Sequence, residues 1–253
     1  MDIKGKVIAI TGAAQGLGLA MASVLASKGA SIALIDFNAE KLDAAVEQCK
    51  SAGGDAKAYV ANVANEQNVS DTFDQIVADF GALNGLINNA GVLRDGLMLK
   101  VKEGEIVKKM SLTEWQTVID VNLTGVFLCG REAAERMIKL GCEGVIINIS
   151  SIAKDGNRGQ TNYSAAKAGV AAMAVTWAKE LSGFGIRSMA IAPGFVATDM
   201  VASMKPEARE KMTSGIPQKR MALPEEIGHA CAYIFENDYM NGRVIQIDGG
   251  LRL

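Results

Sequence analysis

Short runs of Val, Ile, Leu and Ala recur about every 25 to 30 residues, separated by longer amphipathic stretches. The runs read as strands at VIAIT (7–11), SIALID (31–36), AKAYVA (56–61), GLIN (85–88), GVIINIS (144–150), IRSMAIAP (186–193) and GRVIQID (242–248). Helices are predicted from Gly16 to Ser27, Ala39 to Ala52, Glu66 to Phe80, Thr113 to Lys139, Asn162 to Leu181 and Pro224 to Phe235, each starting near a capping or turn residue. This alternation is the rhythm of βαβ units around a parallel sheet, so the pattern predicts an α/β chain. No proline-rich linker, charge block or low-complexity tract divides it, and all four prolines lie at or beyond Pro193, so a single domain over 1–253 is expected. Two stretches break the rhythm: Lys100 to Ser111, and Asp199 to Leu223 with Met200, Met204 and Met212 among charges.

Composition narrows the function classes. The chain has 253 residues, 49% of them hydrophobic and 21% charged, which excludes a disordered or fibrous chain. With 26 basic against 28 acidic side chains there is no electrostatic footprint for nucleic acid or an anionic membrane. Cys49, Cys129, Cys142 and Cys231 form no CxxC pair, and His229 is the only histidine, so no metal site is expected. His229 reads as a helix-packing residue. No window approaches the roughly 18 apolar residues of a membrane span, and the start lacks a signal peptide, which makes the cytoplasm the expected compartment.

TGAAQGLG, Thr11 to Gly18, follows a strand and opens a helix. Gly12, Gly16 and Gly18 fall where a backbone must turn tightly and let a pyrophosphate approach amide groups at a helix amino end. Asp36 ends the second strand about 20 residues on, where a carboxylate would accept hydrogen bonds from ribose hydroxyls and repel a 2′-phosphate. No cation stands in TGAAQG or directly after Asp36, at Phe37 and Asn38, so NAD(H) is preferred over NADP(H). The same layout would also serve S-adenosylmethionine.

Tyr163 and Lys167 stand one turn apart on a helix of small residues, and two serines, Ser150 and Ser151, stand at the end of the preceding strand. A neighbouring ammonium stabilises a phenolate, and bringing a tyrosine from about 10 towards 7 takes about 4 kcal/mol. A tyrosine so tuned exchanges a proton with a substrate oxygen.

Taken in order, TGAAQGLG, NNAG (Asn88 to Gly91), Asn122 in VNLTG, YSAAK (Tyr163 to Lys167) and APGFVATDM (Ala192 to Met200) make the whole chain resemble the short-chain dehydrogenase/reductase family, nearest to its 3-oxoacyl-[acyl-carrier-protein] reductase branch. The resemblance implies a Rossmann fold with a doubly wound seven-stranded parallel sheet, helices on both faces, and the site at the carboxyl ends of the strands. It implies hydride transfer between a nicotinamide and a carbonyl or secondary alcohol. Tyr163 would be the general acid or base, and Lys167 would lower its pKa and hold the nicotinamide ribose. Ser151 would bind the substrate oxygen, chosen over Ser150 because strand alternation after GVIINI turns it to the cleft. Asn122 would position a water linking Lys167 to solvent. Gly12, Gln15, Gly16, Leu17, Gly18, Asp36, Phe37, Asn62, Val63, Asn89, Ala90, Gly91, Pro193, Gly194, Val196 and Thr198 would line the cofactor, with Tyr163 and Lys167. A homotetramer is implied as well.

Three departures qualify the resemblance. Asn62 stands where the family usually has aspartate against the adenine amino group, though its amide oxygen can still accept that bond. About nine extra residues fall in KVKEGEIVKKMS (100–111), as a hairpin or helical extension beside the cleft or a surface elaboration. Glu135 and Phe184 occupy places where carrier-protein reductases present basic residues, with Arg131, Arg136 and Lys139 nearby, which leaves an acyl carrier protein partner open. The segment 199–223 corresponds to the family's substrate lid. A catabolic dehydrogenase of 3-hydroxyacyl thioesters or secondary alcohols, a nicotinamide-binding regulator and a methyltransferase are the alternatives; a regulator needs no proton relay, and a methyltransferase no YSAAK.

Overall fold

The apolar runs pair side by side. In the computed structural model, which describes residues 1–198, 207, 210 and 213–252, β1 (Val7–Thr11), β2 (Ser31–Asp36), β3 (Asp55–Val60), β4 (Gly85–Asn88), β7 (Gly144–Ile149), β8 (Ile186–Pro193) and β9 (Val244–Ile247) form one sheet. Its order is β3-β2-β1-β4-β7-β8-β9, and every pairing is parallel. Alternation along each strand divides the core into two layers. Ile8 and Ile10 pack with Met21 and Leu25 of α1 (Gly16–Ser27), Leu42 of α2 (Ala39–Ser51) and Phe235 of the carboxyl-terminal α7 (Pro224–Glu236). Val7 and Ala9 face the other way, towards Phe73 and Ile76 of α3 (Glu66–Phe80) and Leu128 and Met137 of α5 (Gly125–Leu140).

The predicted strands and most helices match these elements within a residue or two. The helix expected from Thr113 to Lys139 instead comes in three parts: α4 (Leu112–Ile119), a π-helical segment Asp120–Thr124, and α5. Ser111 and Glu114 start α4 with a reciprocal capping box. In the π segment the Gly125 N–H reaches back five residues to the Asp120 carbonyl. One wide turn barely disturbs the apolar stripe, so hydrophobic periodicity passes over it. α6 (Thr161–Leu181) follows β7 after a short 3-10 turn, Ile152–Asp155.

The extra residues form an antiparallel hairpin, β5 (Leu99–Lys102) and β6 (Glu105–Lys109), exposed at every position. Glu103 and Gly104 link the strands with φ of 52° and 85°, the positive pair a two-residue hairpin turn demands. Asp199, Met200, Met204 and Met212, the expected lid residues, lie outside the described residues. His229 is exposed on α7 rather than packed, because the apolar face of that helix is made by Ile227, Cys231 and Ile234 instead. Among the described residues no helix is long and apolar enough to cross a membrane.

Candidate active site

The strand order reverses at β1, which has β2 on one side and β4 on the other, and a crevice opens beyond their carboxyl ends. Its first half, about 690 Å³, is lined by Gly12, Gln15, Gly16, Leu17, Asp36, Phe37, Asn62, Val63, Asn89, Ala90, Gly91 and Thr198. α1 starts here without a side-chain cap, so its first N–H groups face the crevice. Gly16, at φ +56°, has open space where a side chain would project, as an approaching phosphate requires. Gly18 is needed for a different reason. A Cβ there would lie 2.1 Å from the Gly12 carbonyl oxygen and 2.7 Å from the Asn89 amide nitrogen. Asn89 stitches the loops together, donating to the carbonyls of Thr11 and Gly12 at 3.0 Å each, while the Thr11 hydroxyl accepts from the Asn89 and Ala90 amides.

Asp36 is held by two backbone amides, Ala14 at 3.0 Å and Asn38 at 2.9 Å, which aim its carboxylate at the crevice rim. The sequence reading found no cation at this rim, but α2 brings Lys41 across the loop to bond the Gln15 side chain. Asn62 already accepts from the Ala64 amide at 3.0 Å, so an adenine amino group would meet its second lone pair.

The second half, about 560 Å³, adjoins the first and shares Leu17, Asn89, Gly91 and Thr198 with it. Its walls include Ser150, Ser151, Tyr163, Lys167, Pro193, Gly194 and Val196. Gly194 sits where a Cβ would lie 2.8 Å from the Asp248 backbone. The two serines part company here. The Ser150 hydroxyl donates backwards to the Lys167 carbonyl at 2.7 Å, whereas the Ser151 hydroxyl accepts from the Ala153 amide and stands close enough to Tyr163 to favour its phenolate. Lys167 is 4% exposed; its ammonium donates to the Ile149 carbonyl at 2.7 Å and lies 5.5 Å from the centre of the Tyr163 ring.

Burial pushes the Lys167 pKa down to about 8. Burial also pushes the Tyr163 phenol up, with Asp95 adding to the rise and the Ser151 hydrogen bond opposing it. The expected lowering of Tyr163 by Lys167 does not set the direction of this shift. Desolvation of the phenol dominates, and Ser151 is the group that works against it.

Asn122 is fully buried in the π segment, and both ends of its amide are bound to Val92, which donates to it at 2.8 Å and accepts from it at 3.0 Å. Its side chain clamps the loop after Gly91. Sequence reasoning missed Asn162. Buried in the first turn of α6, it donates to the carbonyls of Arg94 and Glu114 at 3.1 Å each and sets the entry of the helix that carries Tyr163. It also missed Leu93 and Arg94, which line the second half from a segment without a motif, and Phe195 inside APGFVATDM.

The profile of the family described as enoyl-(acyl carrier protein) reductase matches residues 12–252. The chain is 41% identical over 254 residues to the 3-oxoacyl-[acyl-carrier-protein] reductase of Thermotoga maritima, covering 99% of each protein. It is 38% identical over 246 residues to the protein of that name from Staphylococcus aureus strain Mu50, covering 96% of each. Among solved structures it is similar to a short-chain type dehydrogenase/reductase from Mycobacterium marinum, with a TM-score of 0.89 at 30% identity over 98% of this chain and 96% of the other.

Proposed function

Because the chain belongs to the short-chain dehydrogenase/reductase family, we propose that it reduces a 3-oxoacyl thioester to the 3-hydroxyacyl thioester with NADH, using Ser151, Tyr163, Lys167 and Asn122. The observation that carries this reading is the meeting of the Ser151 hydroxyl, the Tyr163 phenol and the buried Lys167 ammonium in the half of the crevice adjoining the glycine-rich loop. A dinucleotide fits the first half: open Gly16, the uncapped start of α1 and the anchored Asp36 meet its pyrophosphate and ribose. Bound there, dihydronicotinamide would supply the hydride. Ser151 and Tyr163 would hold the substrate carbonyl oxygen, and the phenol would donate its proton to that oxygen as the carbonyl carbon is reduced. A pKa raised by burial suits this direction, since it keeps the proton on Tyr163 at neutral pH. Lys167 would hold the nicotinamide ribose and faces the Tyr163 ring, and Asn122 keeps the loop after Gly91 in place.

Asp36 supports NAD(H), whereas the contact of Lys41 with Gln15 favours a second reading in which that lysine meets a 2′-phosphate. An exposed apolar groove between α5 and α6, lined by Phe127, Ile138, Trp177 and Leu181, supports assembly as a homotetramer.

Rates with an acetoacetyl thioester under NADH and under NADPH, for the wild type and Tyr163→Phe, test the proposal. The variant is expected to lose roughly 10²- to 10⁴-fold in turnover and to keep its NADH affinity, and NADH is expected to outperform NADPH. Full activity in Tyr163→Phe would overturn the assignment.

A further inference from the structure

Resting on the thioester reading above, we propose that the β5–β6 hairpin is a docking arm for the acidic face of the carrier protein that delivers the acyl group. Its register places Lys100 directly opposite Lys108, and Lys102 opposite Glu105, so one face carries three lysines against a single glutamate. Like charges paired across two strands are unfavourable. This hairpin bears that repulsion on a ribbon exposed throughout, and an acidic surface would relieve it. From Leu99 to Met110 the chain has four lysines against two glutamates, although its overall formal charge is −2. Lys108 pairs with Glu114 at 2.7 Å and Lys102 lies 3.7 Å from Glu103, while Lys100 has no acidic partner among the described residues.

The hairpin is also in the right place. It grows from the segment whose Val92, Leu93 and Arg94 line the substrate half of the crevice. The Gly96 amide donates to the Gly159 carbonyl at 2.8 Å, tying its base to the loop that leads into Tyr163. Exposed Arg94 adds a further cation at this mouth. The cations of α5 are not free for the task. Arg131 is bound by Glu66 and Glu132, Arg136 by Asp74, Glu132 and Glu135, and Lys139 by Glu135. An acidic partner therefore finds its uncompensated positive charge at the hairpin, beside the opening its thioester must enter.

The test compares the acetoacetyl thioester of an acyl carrier protein with that of N-acetylcysteamine, in the wild type and in Lys100→Glu/Lys102→Glu. The double variant is expected to raise KM for the carrier-bound substrate roughly tenfold at low salt, with kcat unchanged. Its kcat/KM for the small thioester should stay within about twofold, and added salt should raise the carrier KM in the wild type far more than in the variant. An equal effect on both thioesters, or on neither, overturns the docking arm and leaves the reductase reading in place. A wild-type protein that reduces neither thioester overturns both. A fall in particle mass by light scattering, with the carrier KM unaltered, would assign the hairpin to contact between copies of this chain and likewise overturn the proposal.

Discussion

Lys167 keeps a positive charge where water barely reaches it, and its pKa falls from 10.5 to about 8 in consequence. A lysine lowered on folding works against stability wherever it is protonated in both states. That penalty is complete below about pH 8 and is relieved as pH rises from there towards 10.5, because the unfolded chain then holds the proton and the folded chain does not. Wild type should therefore gain about 3 kcal/mol relative to Lys167→Met between pH 7 and pH 10.5. Denaturant unfolding of both proteins across that range measures it, and a constant difference would show that the ammonium is better solvated than its burial implies. The adjoining serines give a second residue-level test. Ser151→Ala removes the hydroxyl beside the Tyr163 phenol and is expected to lower turnover roughly 100-fold. Ser150→Ala removes the bond to the Lys167 carbonyl, which should cost about 1 kcal/mol of stability and leave turnover within a few-fold. A severe loss of turnover confined to Ser150→Ala would reverse the two roles.

Among the elements, α1 is the one whose position is most tightly determined. Gly18 lets the first turn of this helix press against the Gly12 carbonyl and the Asn89 amide, and that closeness keeps its free N–H groups at the crevice. In Gly18→Ala the new methyl must push the helix from the loop, at a cost of about 1–3 kcal/mol. NADH affinity should fall at least roughly tenfold with it. Fluorescence titration with NADH and a thermal melt check both, and a variant with unchanged affinity and Tm would mean that the helix does not need this approach. The π segment between α4 and α5 does comparable work by side-chain clamping. It buries Asn122 with both ends of its amide on Val92, and so joins the helix to the loop after Gly91. The hairpin is the opposite kind of element, touching the body through its base and through the Lys108–Glu114 pair.

In the molecule as a whole, parallel pairing of β1 with β4 brings the glycine-rich loop against Asn89, Ala90 and Gly91. Pairing of β4 with β7 then sets Ser151 and the start of α6 beside them. Most of this architecture was legible in the chain, because parallel strands and their crossover helices announce themselves through nearest-neighbour patterns: apolar runs, capping residues and glycines at turns. The motifs were legible for the same reason, each being a few consecutive residues on one strand end or one helix turn. Other features depend on residues far apart in the chain. Lys41 reaches Gln15 only because α2 packs beside the loop, and Asn162 holds Arg94 and Glu114 across 68 and 48 residues. The sign of the Tyr163 shift belongs here too. One turn of helix puts an ammonium near the phenol, but how much water surrounds each group depends on every element packed around them, and desolvation is the largest cause of the shift. Local order follows from short-range sterics and periodicity; the charges and hydrogen bonds of the site follow from burial, which no window of sequence contains.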